Sequence, residues 1–339
     1  MLGPILWLRH KLYDIGFLSS WTPPIPLIGI GNLELGGTGK TPFTIYLANL
    51  LKNKHSVGVV NHGYRLKSSD PIIASPETVH LLNEEAILIW ERTGVPLVAG
   101  RNRRKAIELL LSKHPDIDLL IADDILQHRK INPHIPILIT RFDKPYYKNR
   151  LIPFGTLRDI KSRAKAFPVL VYTYSPLIDE KEKAKVRNFT SWHDLVLFAH
   201  ASYGPPYPVT ENLGKPDGRF LAVCGIANPS AFLSFTKNKF QVVGSLCFRD
   251  HKEYALTDIK NIIALCKKNN VDSIITTEKD AVKLKRFKEE FESSGVSVLA
   301  IPLTLQLNPE DEQQLLTYLS EKLEAYGQER SQDMDGTHQ

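Results

Sequence analysis

The run Gly36-Gly37-Thr38-Gly39-Lys40-Thr41 constrains this chain more than any other segment. An apolar stretch, Ile25 to Ile30, precedes it and reads as a buried strand. Phe43, Tyr46, Leu47, Leu50 and Leu51 follow it at the spacing of one helical face. Pro42 suits a first helical turn, where its missing N–H would have no partner anyway. Strand, glycine-rich loop, Lys-Thr and helix together make an anion cradle. Backbone N–H groups of Gly36, Gly37, Thr38 and Gly39 and the helix N-terminus would bind phosphate oxygens. Lys40 would reach the outer phosphates and Thr41 would hold Mg²⁺.

The strict pattern G-x-x-x-x-G-K-[ST] asks for glycine at position 34, where this chain has Glu34. The Gly36-Gly37 pair can supply the permissive backbone instead. The competing reading is an ordinary glycine-rich turn. The Lys-Thr pair and both flanking elements favour the phosphate loop. Partition-type ATPases share G-G-x-G-K-T but place a lysine before the glycines, and here Leu35 stands there.

A chain of 339 residues accommodates two ordinary domains. A formal charge of +6 and a pI near 9.0 favour acidic partners: nucleotides, phosphorylated ligands, anionic lipid surfaces or nucleic acid. Cys224, Cys247 and Cys266 are few, odd in number and without metal-ligand spacing, which fits buried thiols in a reducing compartment. Residues 1–21 combine Leu2, Ile5, Leu6, Trp7, Leu8, Leu12, Ile15, Phe17, Leu18 and Trp21 with Arg9, His10, Lys11 and Asp14. The uninterrupted apolar stretch falls far short of the roughly 20 residues of a membrane span. An amphipathic helix there either lies in a membrane interface or packs on its own domain.

Apolar runs at Ile25–Ile30, Val57–Val60, Val95–Val98, Leu119–Ile121, Ile135–Ile139 and Val169–Tyr172 read as strands of a covered, mostly parallel sheet, with a helix over Arg104–Lys113. This predicts an α/β fold: a P-loop NTPase-like three-layer domain over residues 22–178. A second, smaller α/β lobe is predicted over 219–326. Its strands are Phe220–Val223, Gln241–Gly244, Ile274–Ile275 and Val296–Ile301, and its helices Ala255–Lys268 and Pro309–Tyr326. Residues 179–218, rich in proline, read as an irregular connection, and 327–339 as a mobile polar tail.

Leu119 to Ala122 ends in Asp123-Asp124, where a phosphate-loop protein carries a Mg²⁺-supporting acid. A helix-capping Asp would look the same. Gln127 and His128 are placed to orient water or phosphate. Arg101, Arg103, Arg104 and Lys105 follow the Val95–Val98 strand and form either a phosphate clamp or a solvated face. Arg158 lies in the turn-rich Pro153–Asp159 segment. Phe248-Arg249-Asp250-His251 and Thr277-Glu278-Lys279-Asp280 follow strands of the second lobe, as catalytic groups or as exposed turns.

Gly31-Asn32 ahead of Gly36–Pro42 resembles the loop of the tetraacyldisaccharide 4'-kinase (lipid A 4'-kinase) family. So do Gly63-Tyr64, Asp123-Asp124 with Leu126-Gln127-His128, Pro153-x-Gly155-x-Leu157-Arg158, Gly225-Ile226-Ala227-Asn228-Pro229, Phe248-x-Asp250-His251 and Thr277-Glu278-Lys279-Asp280. These motifs stand in the family's order and cover roughly residues 1 to 320. The family itself departs from the strict loop at the first glycine. The resemblance implies a two-lobe α/β kinase at the cytoplasmic face of a bacterial inner membrane, peripheral, with its N-terminal helix on an anionic lipid surface. It implies transfer of the γ-phosphate of ATP, with Mg²⁺, to the 4'-hydroxyl of an acylated glucosamine disaccharide 1-phosphate, giving lipid IV-A. Nucleic acid is not an expected partner.

By the same resemblance, the catalytic base is an Asp in a Gly-Asp-Glu stretch that matches Asn83-Glu84-Glu85, so Glu84 takes its place, assisted by His251. Lys40, Arg158 and Asp124 complete the expected catalytic set, Thr41, Asp123 and Asp124 the metal set. The loop, Gln127, Arg101 and Arg103 are expected to contact the nucleotide. His62, Ile125 and Asp159 differ from the family's usual Arg, Gly and Glu. Two other classes compete: a nucleotide switch acting on a protein partner, and a membrane-binding module whose loop only captures anions.

Overall fold

Valine, isoleucine and leucine runs with almost no polar interruption can only be strands covered on both faces. The computed structural model describes residues 2–64, 66, 68–211, 218–250 and 252–336. It divides into one unit of residues 1–201 and 305–339 and another of 202–304.

The sheet of the first unit runs, edge to edge, Leu303–Leu307, Leu195–Tyr203, Val169–Thr173, Ile135–Arg141, Leu27–Gly31, Leu119–Ala122, Val57–Asn61, Leu97–Ala99 and Ile72–Ile73. The pairings from Leu195–Tyr203 through to Leu97–Ala99 are parallel, and Ile72–Ile73 is antiparallel to its neighbour. The fold is the expected mostly parallel α/β type. Leu27–Gly31 is central, and Leu27, Ile28 and Gly29 pair with Leu120, Ile121 and Ala122. Chain segments leaving these two strands therefore emerge side by side at their carboxyl ends. The first observed strand starts at Leu27, not Ile25, because Pro26 lacks the N–H a ladder needs. Pro96 delays the Val95–Val98 strand to Leu97 in the same way.

In the second unit the strands Gln241–Cys247, Arg219–Cys224, Ser273–Thr277 and Ser297–Ile301 pair in parallel, in that order, and Tyr207–Pro208 adds an antiparallel edge. The helix Leu256–Lys268 buries Ile259, Ile262, Ile263 and Cys266, three and four residues apart.

Three expected boundaries need correction. Residues 179–218 are not an irregular connection throughout. They include the helix Glu180–Phe189 and the strand Leu195–Tyr203. The helix is capped by Asp179, whose side chain accepts from Glu182 N–H at 2.8 Å. Val196, Leu197 and Phe198 bury fully enough to hold the strand in the sheet. The helix starting at Pro309 continues to Gly336, through part of the expected tail, and belongs to the first unit. The N-terminal helix spans Leu2–Asp14, shorter than 1–21, because Trp21 is extended and bonds to Lys130 O and from Asn132 N.

The C-terminal helix docks through charge. Asp311, fully buried, accepts from Arg187 at 3.0 Å and from the Phe198 N–H at 3.2 Å, with the buried Lys183 ammonium 3.7 Å away. Tyr46 donates to Glu312, and Tyr326 to Pro24 O. Asp311→Ala leaves Lys183 buried beside only the exposed Glu180. It should cost about 3–5 kcal/mol in urea unfolding followed in the first unit. Pairing it with Lys183→Met should recover part of that loss.

Candidate active site

The phosphate loop leaves Leu27–Gly31 at Asn32 and ends at Gly39, which adopts φ 90° and starts the helix Lys40–Leu51. That left-handed conformation suits glycine. No side chain caps this helix, so its first N–H groups remain for a ligand. Gly31 permits close approach of a different kind. A Cβ there would lie 2.7 Å from Leu126 Cγ, and its absence lets the 123–128 turn settle against the loop's own strand.

Glu34, at the position of the missing first glycine, is a buried tie. Its Oε1 accepts from Asn149 at 2.7 Å and its Oε2 from Thr140 at 3.5 Å, and burial raises its pKa. Leu35 N–H donates to Thr156 O, so the loop's first half is stapled to the 149–158 segment.

Asp123 and Asp124 follow Leu119–Ala122 and turn in opposite senses. Asp123 is buried, and accepts from Thr44 at 3.2 Å, Asn61 at 3.3 Å and Thr41 at 3.4 Å. Burial pushes its carboxyl up to about 7, with the Glu85 and Asp124 charges adding to the rise. Asp124 has φ 51°, a left-handed conformation that Asp tolerates better than most residues. Its Oδ1 meets Arg158 Nη2 at 2.7 Å and Lys40 Nζ at 3.9 Å. Burial works to raise its pKa too, but Lys40, Arg158 and Arg103 outweigh it and hold the carboxyl low. One strand end thus carries two acids of opposite electrostatic character, one facing hydroxyls and acids, the other facing cations.

Arg158 also donates to Asn32 Oδ1 at 2.6 Å, and Asn32 Nδ2 donates to Thr38 Oγ1 at 2.7 Å. Gln127 lies in the same network, donating to Asn32 O at 2.9 Å. The expected loop, Lys40, Thr41, Asp123, Asp124, Gln127 and Arg158 are therefore brought together.

The other two arginines donate to backbone carbonyls. Arg103 is buried behind the turn, and its Nη2 donates to the carbonyls of Asp123 and Asp124, at 3.1 Å each. Burial lowers its pKa to about 10, against the pull of the two acids. It holds the acidic turn from beneath. Arg101 donates to Leu66 O at 2.9 Å. His62 and His128 pack with ring centroids 5.1 Å apart. Burial first, then the Arg103 charge, lowers both to about 4, so both are neutral at neutral pH.

Glu84 is buried in the first turn of the helix Glu84–Thr93, which Asn83 caps by accepting from Ala86 N–H at 2.8 Å. The charge of its neighbour Glu85 acts on Asp123. His251 lies outside the described residues. In the second unit, Asp280 ties its own Thr277–Asp280 motif to Gly225 of the Gly225–Pro229 motif and to Tyr254. It accepts from Gly225 N–H at 2.8 Å, Thr277 Oγ1 at 2.7 Å and Tyr254 OH at 3.1 Å.

Asn61 and Thr44 belong to the site without having been singled out, and Asn32 and Glu85 gain roles beyond their places in motifs. Asn61 and Asn32 share one available signal, a polar residue at or just past the carboxyl end of an apolar strand.

A parallel sheet, a loop feeding a helix N-terminus, Lys and Thr at that helix start and paired acids on the adjacent strand define a phosphate-loop nucleotide-binding protein. Comparison with known proteins narrows the class. The family model for tetraacyldisaccharide-1-P 4'-kinase matches residues 1–324. A tetraacyldisaccharide 4'-kinase of Cytophaga hutchinsonii is 30% identical, covering 95% of this chain and 93% of its own. One from Bacteroides thetaiotaomicron is 31% identical, covering 94% and 91%. A crystal structure of LpxK from Aquifex aeolicus in complex with ATP superposes with a TM-score of 0.69 at 26% identity, over 94% of this chain and 95% of that one. This chain belongs to the tetraacyldisaccharide-1-P 4'-kinase family, ATP-dependent kinases of lipid A biosynthesis.

The raised Asp123 carboxyl has a consequence for stability. Its proton is favoured in the fold, so the protein carries no penalty below the ordinary Asp pKa and loses stability as pH rises toward about 7. Asp123→Asn, without metal or nucleotide, should therefore melt above the wild type at pH 8. The gain should be on the order of 1–3 kcal/mol and should shrink toward pH 4. A constant difference across that range would place the effect elsewhere.

Proposed function

We propose that this chain transfers the γ-phosphoryl group of ATP to the 4'-hydroxyl of a tetraacylated glucosamine disaccharide 1-phosphate, giving lipid IV-A. The observation that supports this most directly is the convergence of Lys40 and Arg158 on Asp124 beside an uncapped helix N-terminus. Without nucleotide, the two cations are held by the one low-pKa carboxylate. An incoming triphosphate competes for them, with N–H groups of Gly37 to Thr41 receiving its oxygens. Lys40 and Arg158 then meet the charge that spreads over the transferring group.

The donor set suits Mg²⁺. Thr41 Oγ1 and Asp123 Oδ2 lie 3.4 Å apart as hard oxygen ligands, and the Glu85 and Asp124 charges beside Asp123 call for a cation. Among the described residues no group of three or more His, Cys, Asp or Glu is disposed to hold a metal. Mg²⁺ is commonly held by one or two protein oxygens, phosphates and water. Thr41 and Asp123, with Asp124 near, would hold it. When bound, the ion neutralises charge on the β- and γ-phosphate oxygens. Glu84 takes the proton of the attacking hydroxyl in this reading, its longer side chain replacing the family's Asp.

The acceptor is greasy, so the reading also places the chain at the cytoplasmic face of the inner membrane, on anionic lipid. Among the described residues no helix is long and apolar enough to cross a membrane. The N-terminal helix supports seating on the surface instead. Gly3, Leu6, His10 and Tyr13 form the stripe turned to the protein, with His10 Nε2 2.7 Å from Asp159 Oδ1. Ile5 and Leu8 are exposed on the other side, and Ile15 is exposed in the turn that follows the helix.

Mass spectrometry after incubation with Mg·ATP and the monophosphorylated acyl-disaccharide tests the reading, and a product heavier by one phosphate is expected. Lys40→Ala should lower turnover by about 10²-fold or more while leaving the melting temperature close to wild type. Glu84→Gln should reduce kcat by about 10²-fold and change ATP affinity by less than about threefold. Equal losses in both would make Glu84 a structural residue.

A further inference from the structure

The segment Asn149–Arg158 is a built loop with one large apolar side chain at its tip. Asn149 Oδ1 accepts from Arg150 and Thr156 N–H groups, Leu157 N–H bonds to Arg150 O and Ile152 N–H to Leu157 O. Phe154 N–H bonds to Leu151 O, closing the tip. Within this rigid frame Phe154 is 85% exposed. A lone exposed Phe needs no explanation, but this one has neighbours. Gly3 of the N-terminal helix lies against the same loop, where a Cβ would sit 3.4 Å from Leu151 Cδ1. The loop therefore adjoins the helix whose Ile5 and Leu8 are more than half exposed.

The sequence around the loop is mostly basic. From Lys144 to Lys165 there are seven Lys and Arg and a single acid, Asp159, which is buried against His10. Lys148, Arg150 and Lys161 are exposed, and Lys161 Nζ bonds to Tyr147 O beside the loop. An exposed aromatic tip on a segment that also carries exposed cations complements an anionic bilayer, which offers hydrocarbon beneath phosphate. A protein partner would need a contoured acidic surface, whereas a protruding point suits a deformable one.

We propose that the 149–158 loop is a second membrane-seating element, with Phe154 entering the acyl boundary while Lys148, Arg150 and Lys161 meet anionic headgroups. This rests on the membrane-surface reading above and adds a second contact to the helix. It also bears on the active site. The same loop staples Leu35 through Thr156, holds Glu34 through Asn149 and delivers Arg158 to Asp124. Seating the loop in lipid orients the phosphate-loop edge toward the surface from which an acylated acceptor comes.

The test is partition of the full chain onto phosphatidylethanolamine–phosphatidylglycerol vesicles, against pure phosphatidylcholine. Phe154→Ser should lower the partition coefficient about tenfold, from loss of the aromatic insertion, with an unchanged melting temperature. Phe154→Trp should bind as wild type, and brominated lipid should quench the added tryptophan. Wild-type affinity in Phe154→Ser with no quenching in Phe154→Trp beyond that of the wild type, whose Trp7 lies on the helix, would overturn the loop's role and leave the helix as the membrane contact. No wild-type binding to either vesicle would overturn the membrane reading itself. A wild-type dimer that Phe154→Ser dissociates, with vesicle binding unaltered, would assign the tip to a second copy of the chain and overturn the proposal.

Discussion

Parallel pairing of Leu27–Gly31 with Leu119–Ala122 is the constraint on which the site depends. Parallel strands emit their following segments at the same edge, so the glycine-rich loop and the Asp123-Asp124 turn must meet there. A glycine at position 31 allows the turn to lie close enough for Gln127 to reach the loop backbone. Buried Arg103 then holds the two carbonyls of the turn, which keeps Asp124 in its left-handed conformation. Remove that pairing and the cations and acids have no shared edge.

The site separates two adjacent carboxylates by environment. The Asp123 carboxylate accepts from Thr41, Thr44 and Asn61, and burial makes its charge costly. Asp124 faces Lys40 and Arg158, and its charge is favoured. In the proposed transfer the first awaits a metal ion, while the second holds two phosphate-binding cations in place until the nucleotide arrives. A stability cost at Asp123 is thus the physical counterpart of a cation-ready site.

The 149–158 segment connects what otherwise are separate features. It supplies Arg158 to the acidic turn, replaces glycine-loop permissiveness with a buried Glu34–Asn149 tie, and borders the N-terminal helix at Gly3. Asp159, held by His10, extends the same connection to the helix that carries the exposed apolar stripe. Surface seating and phosphate binding in the proposed function therefore share one short, well-bonded stretch of chain.

Residues 36–41, the apolar strand before them and the periodic helix after them carry local information, so the phosphate loop and the α/β class were legible directly. The acidic strand end was legible as a candidate beside the loop, although a helix-capping Asp would have looked the same. That Arg103 lies buried behind the acidic turn was not legible, because nothing in a linear charge cluster tells which guanidinium points inward. Asn32, Asn61 and Glu85 gained meaning only when strands far apart in sequence became neighbours. The strand Leu195–Tyr203 and the helix Pro309–Gly336 joined the first unit for the same reason, through Lys183, Arg187 and Asp311. Short-range patterns of glycine, apolar and charged residues determined the elements and the chemistry of the loop. Strand order, burial and long-range ion pairs, which are properties of the packed chain, decided which side chains face one another.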